Sequence, residues 1–172
     1  MVNVVMACCR NGGIGINNTL PWSIKEELEM FKIITVNSTV IMGYNTWVSL
    51  PRKPLINRVN VVLTKYPIKK EELLKNYDIV VLSSIEEALL KYNNNQCFYI
   101  GGASIYNYLI KNNLITCLYI SIIHKDYETD TSIDIDTLYS FEHNIVNRQV
   151  FQDFTHLKIK FQTAVQPLKS LN

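Results

Sequence analysis

Glu27 is an acid set into an apolar helical stripe. Across Ser23–Ile34, the residues Ile24, Leu28, Phe31 and Ile34 recur at the i, i+3, i+4, i+7 spacing that shares one helical face, and Glu27 falls among them. A carboxylate there is costly to ionise unless something hydrogen-bonds it, which suggests a ligand. A helix acid at an apolar edge also snorkels to water or pairs with a distant Arg, and the helix by itself leaves both readings open. Its acidic neighbours have local reasons. Ser23 and Glu26 have capping-box spacing, and Glu29 falls on the opposite, wet face.

Three glycine-bearing segments offer backbone chemistry to go with that acid. Ile100-Gly101-Gly102-Ala103 follows an apolar strand and opens a helix, so its glycines either bring amides close to a phosphate or serve as packing devices. Val40-Ile41-Met42-Gly43 is a buried strand ending in glycine, with Thr46 one turn on, placed to cap a helix or to meet a phosphate. The loop Asn11–Trp22 carries Gly12, Gly13 and Gly15 ahead of Leu20-Pro21-Trp22 and leads into the Glu27 helix. It is either a lid or a merely mobile connection.

The elements that must position these segments show as alternating patterns. Apolar runs at Val2–Cys9, Ser38–Met42, Arg58–Leu63, Ile79–Leu82, Cys97–Ile100 and Leu114–Ile123 alternate with helical patterns at Ser23–Ile34, Lys69–Lys75, Ser84–Lys91 and Ala103–Lys111. Near-continuous apolarity in the runs predicts a single-domain α/β fold whose mostly parallel central sheet is flanked by helices. Asn144–Phe151 and Thr155–Val165 have no helix between them, which predicts a C-terminal antiparallel hairpin closing one edge. The domain is expected over residues 1–165, followed by a short tail over 166–172.

Of the 172 residues, 48% are hydrophobic and 19% charged, which suits one domain with one sizeable core. A net charge of +2, with no basic run beyond Lys69-Lys70, predicts no nucleic-acid surface and a small partner. Cys8, Cys9, Cys97 and Cys117 lack C-x-x-C spacing and read as small hydrophobes of a reducing compartment. His124, His143 and His156 lack metal-ligand spacing, so no metal is expected. The run Val2–Cys9 is too short for a membrane span and lacks a basic leader, so a cytoplasmic protein with no membrane partner is expected.

Ala7, Ile14-Gly15, Leu20-Pro21-Trp22, Glu27, Phe31, Val40-Ile41-Met42-Gly43 with Thr46-Trp47, Arg58, and Ile100-Gly101-Gly102 with Tyr106 resemble the dihydrofolate reductase family in order and spacing. The resemblance runs from Val2 to about Phe161. It implies a dihydrofolate reductase-like fold and an enzyme that reduces 7,8-dihydrofolate to 5,6,7,8-tetrahydrofolate by hydride transfer from NADPH, in support of one-carbon metabolism and nucleotide synthesis. It further implies a monomer that binds dihydrofolate and antifolate-type ligands. The length of this chain leaves no room in it for a fused thymidylate synthase, and none is expected within it.

By the same resemblance, Glu27 is the acid of the pteridine pocket, holding the ring through its N3 and 2-amino donors and favouring protonation at N5 before hydride arrives at C6. A Glu there resembles the eukaryotic form. Leu28 and Phe31 would wall the ring and aminobenzoyl group, with Val5, Leu50 and Leu55 opposite. Arg58 would take the α-carboxylate of the glutamate tail, Ser121 would support the acid, and Trp22 would help hold an ordered water. On the cofactor side, Ala7, Gly13, Ile14, Gly15, Ile16, Asn17, Asn18 and Thr19 would border the nicotinamide and ribose. Gly101, Gly102, Ala103, Ser104 and Ile105 would line the pyrophosphate with Thr46, and Tyr106 would sit near the nicotinamide. The family has a cis peptide between the paired glycines.

The departures from the family concern the cofactor. Tyr44 and Asn45 stand where the family usually has Arg or Lys, and Ser83 and Ser104 fill other positions that are basic in some members. Lys65, between Thr64 and Tyr66, is then the one obvious basic residue left for the 2′-phosphate of NADPH. Two other classes compete. A pyrimidine reductase of riboflavin synthesis shares the Gly-Gly turn but lacks a use for Glu27, Phe31 and Arg58, and a non-catalytic folate- or nucleotide-binding relative has only the altered Tyr44 region in its favour.

Overall fold

The apolar runs become the strands of one sheet. The computed structural model describes residues 1–140 and 143–161. In chain order the elements are β1 (Asn3–Cys9), β2 (Gly13–Gly15), α1 (Lys25–Thr35), β3 (Thr39–Gly43), α2 (Tyr44–Ser49), β4 (Val59–Leu63), α3 (Pro67–Asn76) and β5 (Val80–Leu82). They continue with α4 (Ile85–Lys91), β6 (Cys97–Tyr99), α5 (Ala103–Lys111), β7 (Cys117–Ile123), β8 (Thr131–Ser132), α6 (Ile135–Ser140), β9 (His143–Val150) and β10 (Phe154–Phe161). Eight strands form one sheet in the order β5-β4-β3-β6-β1-β7-β10-β9. The six from β5 to β7 pair in parallel, and β10 and β9 are antiparallel.

Both faces of the parallel part are covered, which is why its strands lack polar alternation. Ile105, Leu109 and Ile110 of α5, with Leu138 of α6, pack on one face beside Val4, Ile41 and Leu118. Trp47 of α2 and Leu73 of α3 pack on the other with Val40, Met42 and Val62, and Phe31 and Ile34 of α1 join them. The expected hairpin is present as β9 and β10, while residues 162–165 of its second arm and the tail 166–172 lie outside the described residues.

Two local expectations are corrected. The capping box expected at Ser23 and Glu26 does not form: the Ile24 carbonyl accepts from the Leu28 amide at 3.2 Å, the helix frame starts at Lys25, and no side chain caps it. Ser23 thereby lies one residue outside the capping position. The same chemistry operates on α4, where Ser84 Oγ accepts from the Glu87 amide at 3.2 Å and Glu87 Oε2 accepts from the Ser83 amide at 2.9 Å. The helix expected to start at Lys69 starts at Pro67, whose fixed φ suits the first helical position.

Candidate active site

A gap in the sheet creates the site. The short β6 pairs with β1 at Asn3 and Val4 and with β3 from Thr39 to Ile41, then stops at Tyr99, whereas β1 runs on to Cys9 and β3 to Gly43. Beyond β6 its neighbours have no strand between them, and a cleft of about 840 Å³ opens at the carboxyl ends of the strands.

Glu27 stands in one half of this cleft and is more deeply buried than the apolar residues of its own helical stripe. It is 7% exposed, against 49% for Leu28, and both line the cleft with Phe31, Val5 and Leu50. The sequence stripe therefore faces an open space, so its apolar members keep surface that only a ligand covers. Burial pushes the Glu27 carboxyl up from 4.5 to about 6, and the nearby hydroxyl of Ser121 on β7 pulls the value partly back. No ion pair reaches Glu27 among the described residues. Arg58 is not among the residues that line the cleft and reaches it only through Phe31: its guanidinium lies 5.8 Å from the centre of the Phe31 ring, and Nη1 donates to Thr35 Oγ1 at 3.3 Å. Its Nε is buried with no partner among the described residues.

The other half is built from backbone. The Gly101-Gly102 peptide is cis, as the family resemblance implies, and the Gly101 carbonyl accepts from the Gly43 amide at 2.8 Å, tying the turn to the end of β3. Gly101 has φ +113°, and a Cβ there would lie 3.0 Å from Tyr106 Oη; a Cβ on Gly102 would lie 3.2 Å from Thr46 Oγ1. Neither α2 nor α5 has a side-chain cap, so the orphan amides of α5, whose residues Ala103 and Ser104 line the cleft, are free for an anion. Tyr106 joins the halves. Its hydroxyl donates to the Val5 carbonyl at 2.8 Å, and burial, the Glu27 charge and Cys8 all hold the phenol protonated.

The loop before α1 is folded over the mouth. β2 pairs with β8, and Asn17 and Asn18, at φ +49° and +58°, form a two-residue turn closed by reciprocal bonds between Ile16 and Thr19. Asp130 Oδ2 accepts from the Asn17 amide at 2.7 Å. Ala7, Ile14, Gly15, Asn18, Thr19 and Trp22 line the cleft from this side. Trp22 packs at 5.9 Å from Tyr127, with Nε1 buried and unpartnered among the described residues.

Comparison with known proteins settles the family. The dihydrofolate reductase family model matches residues 1–166. The chain belongs to the dihydrofolate reductase family. It is 37% identical over 139 residues to a dihydrofolate reductase of Candida albicans, covering 75% of this chain and 70% of that one. It is 32% identical over 162 residues to the bifunctional dihydrofolate reductase-thymidylate synthase of Paramecium tetraurelia; the match takes in 90% of this chain and spans 34% of that protein. Among solved structures, an Enterococcus faecalis dihydrofolate reductase complexed with NADP(H) and RAB-propyl superposes with a TM-score of 0.74 at 26% identity, over 94% of this chain and 96% of the other.

Within this family member, most residues singled out from sequence meet in the one cleft, and several stand behind its wall. Leu55 packs against the same core cluster as Phe31 and Leu50, Ser121 lowers the Glu27 value from β7, and Ile105 lies under Gly43. Gly13 pairs with Ser132, and Ile16 and Asn17 belong to the lid turn. Tyr44, Asn45, Thr64, Lys65 and Tyr66 line one end of the cleft. Sequence reasoning missed Lys69. Its Nζ stands 4.1 Å from the Tyr44 ring centre and 4.9 Å from that of Tyr66, inside the cleft wall. The signal was Pro67: a helix started there puts Lys69 in its first turn, beside Thr64-Lys65-Tyr66.

The basic gap read at Tyr44 is thus faced by lysines of α3 and of the loop before it. Lys65 Nζ lies 5.6 Å from the Tyr66 ring, so two ammonium groups and three aromatic or hydroxyl side chains share that end. Uncapped amides, a glycine cradle that a Cβ would fill, and two lysines fit a phosphorylated dinucleotide.

Proposed function

We propose that the Glu27 half binds the pteridine of 7,8-dihydrofolate and that the Gly101-Gly102 half binds NADPH, so that this chain performs the reaction of its family, reduction to 5,6,7,8-tetrahydrofolate. One observation carries the reading: a buried carboxylate without a cation partner among the described residues shares a cleft with a glycine turn beside uncapped helix amides, and Tyr106, bonded to Val5 and packed on Gly101, stands between them. The family member complexed with NADP(H) supports the cofactor assignment.

Glu27 accepts from N3 and the 2-amino group of the ring, a charge-assisted bidentate pair that replaces the hydration its burial removes. The ionised acid in a dry pocket favours a proton at ring N5. NADPH, when bound, supplies the hydride. Leu28, Phe31, Val5 and Leu50 hold the ring and exclude water. Arg58 meets the glutamate tail, and Thr35, bonded to Arg58 and donating to the Phe31 carbonyl at 2.8 Å, fixes its direction. Trp22 has a free N–H for a bound water. Thr46 and the amides of Ala103 and Ser104 hold the pyrophosphate, and Lys65, Lys69 and Thr64 hold the 2′-phosphate.

We read the chain as a monomer and as a domain of residues 1–165. Four buried free cysteines support a reducing, cytoplasmic setting. No helix among the described residues is long and apolar enough to cross a membrane. The test is direct: purified protein is mixed with NADPH and 7,8-dihydrofolate, and the NADPH absorbance falls. Oxidation of NADPH only with a ribosylated pyrimidine, or with neither substrate, would contradict the reading.

A further inference from the structure

Behind Glu27 the sheet places a hydroxyl and an imidazole that the cleft walls do not use. Ser121 on β7 and His156 on β10 are register partners, 1% and 5% exposed, with Ser121 Oγ 3.1 Å from His156 Nδ1. His156 is the buried one of the three histidines. The Ser121 hydroxyl has one proton; its bond in this structure is with the imidazole, and the Glu27 carboxylate, whose value it lowers, is the other acceptor it can serve. The imidazole tautomer decides between them. With hydrogen on Nδ1, His156 donates to Oγ and the hydroxyl donates to Glu27; with hydrogen on Nε2, Nδ1 accepts and Glu27 loses its donor.

We propose that His156 is a positioning residue for the reaction, its Nδ1–H tautomer turning the Ser121 hydroxyl onto the Glu27 carboxylate. The inference rests on Glu27 being the acid of the pocket. Burial lowers the His156 value, so a neutral tautomer, not an imidazolium, is present at neutral pH. Tyr119 of β7 stacks on the ring, with centres 6.5 Å apart and planes at 29°, and limits its rotation. The titratable groups around the chain of bonds are Glu27 from α1, Tyr106 from α5 with Cys8 of β1 beside it, Tyr119 from β7, and Lys158 of β10, whose Nζ lies 5.0 Å from the Tyr119 ring. β9 sets the uncharged Gln149 opposite His156.

The experiment reads the free, full-length protein. Nitrogen NMR of labelled histidine gives the tautomer, and carboxyl-carbon NMR gives the Glu27 midpoint in wild type, His156→Leu, His156→Asn, Ser121→Ala and the Ser121→Ala/His156→Leu double variant. The expected result is an Nδ1–H tautomer, a Glu27 midpoint raised by about half a pH unit in His156→Leu and about one pH unit in Ser121→Ala, and wild-type behaviour in His156→Asn, whose amide N–H replaces Nδ1–H. In the Ser121→Ala background, His156→Leu adds nothing. The kcat profile with pH moves in the same direction. An Nε2–H tautomer, an unmoved midpoint in His156→Leu, or a further rise in the double variant overturns the proposal. If His156→Leu does not fold, the wild-type tautomer and the His156→Asn and Ser121→Ala midpoints decide. These readouts need no turnover, so their failure leaves the test with 7,8-dihydrofolate and NADPH untouched.

Discussion

On the substrate side of the cleft the charge is one carboxylate, 7% exposed, raised in pKa by its own burial and held on a helix packed against the sheet. On the cofactor side it is carried by Lys65, exposed, and Lys69, half-buried, both standing over tyrosine rings, with uncapped backbone amides between. The first arrangement concentrates a field in a dry place and pays for it in stability. The second spreads attraction over several wet groups, each replaceable. Substitutions on the two sides should therefore differ in size, in pH dependence and in salt dependence.

The largest effect belongs to Glu27→Gln, expected to cut kcat at neutral pH by about 10² while leaving NADPH binding unchanged. Near-wild-type turnover across neutral pH would remove the special status of the substrate half. The same variant should be more stable than wild type. A carboxyl at 4.5 in the unfolded chain and about 6 in the fold binds its proton more tightly when folded. Stability is therefore fullest below pH 4.5 and lost as pH rises through 6, a penalty of about 2 kcal/mol that Gln does not incur. Denaturant melts at pH 4 and pH 7.5 check this: the two proteins should converge at the lower pH and separate at the higher.

Gly101→Ala probes the cofactor half where it is rigid. A Cβ at φ +113°, 3.0 Å from Tyr106 Oη, should cost about 1–3 kcal/mol of stability and weaken NADPH binding, measured by thermal melts with and without cofactor. Arg58→Lys keeps the charge and loses the planar fork, so KM for dihydrofolate should rise about tenfold with kcat held, and a pteridine without a glutamate tail should show no change. The smallest effects belong to Lys65→Ala and Lys69→Ala. Each should raise KM for NADPH by about three- to tenfold, less at high salt, with NADH little affected. If Lys65→Ala alone abolished the preference, Lys69 would have no share in it.

The sheet strands were legible because runs buried on both sides carry no polar alternation, and α5 because Gly102 and Lys111 mark its ends. The two-residue β8, three-residue β2 and six-residue α2 and α6 are too short for periodicity to declare them. Glu27 was visible as an acid in the wrong place, and Leu28 beside it is half exposed because the stripe borders a cleft. Lys69 was missed through a helix start placed two residues late, and His156 because a pairing across 35 residues leaves no local trace.

The claim that Glu27 is a buried acid whose partner is the substrate is tested most directly by its own titration, followed by carboxyl-carbon NMR with and without a folate-type ligand. The account predicts a midpoint near 6 in the free protein, falling below the ordinary carboxyl value when the ligand's N–H donors engage it. A midpoint near 4.5 in the free protein, or one that the ligand leaves in place, would contradict it.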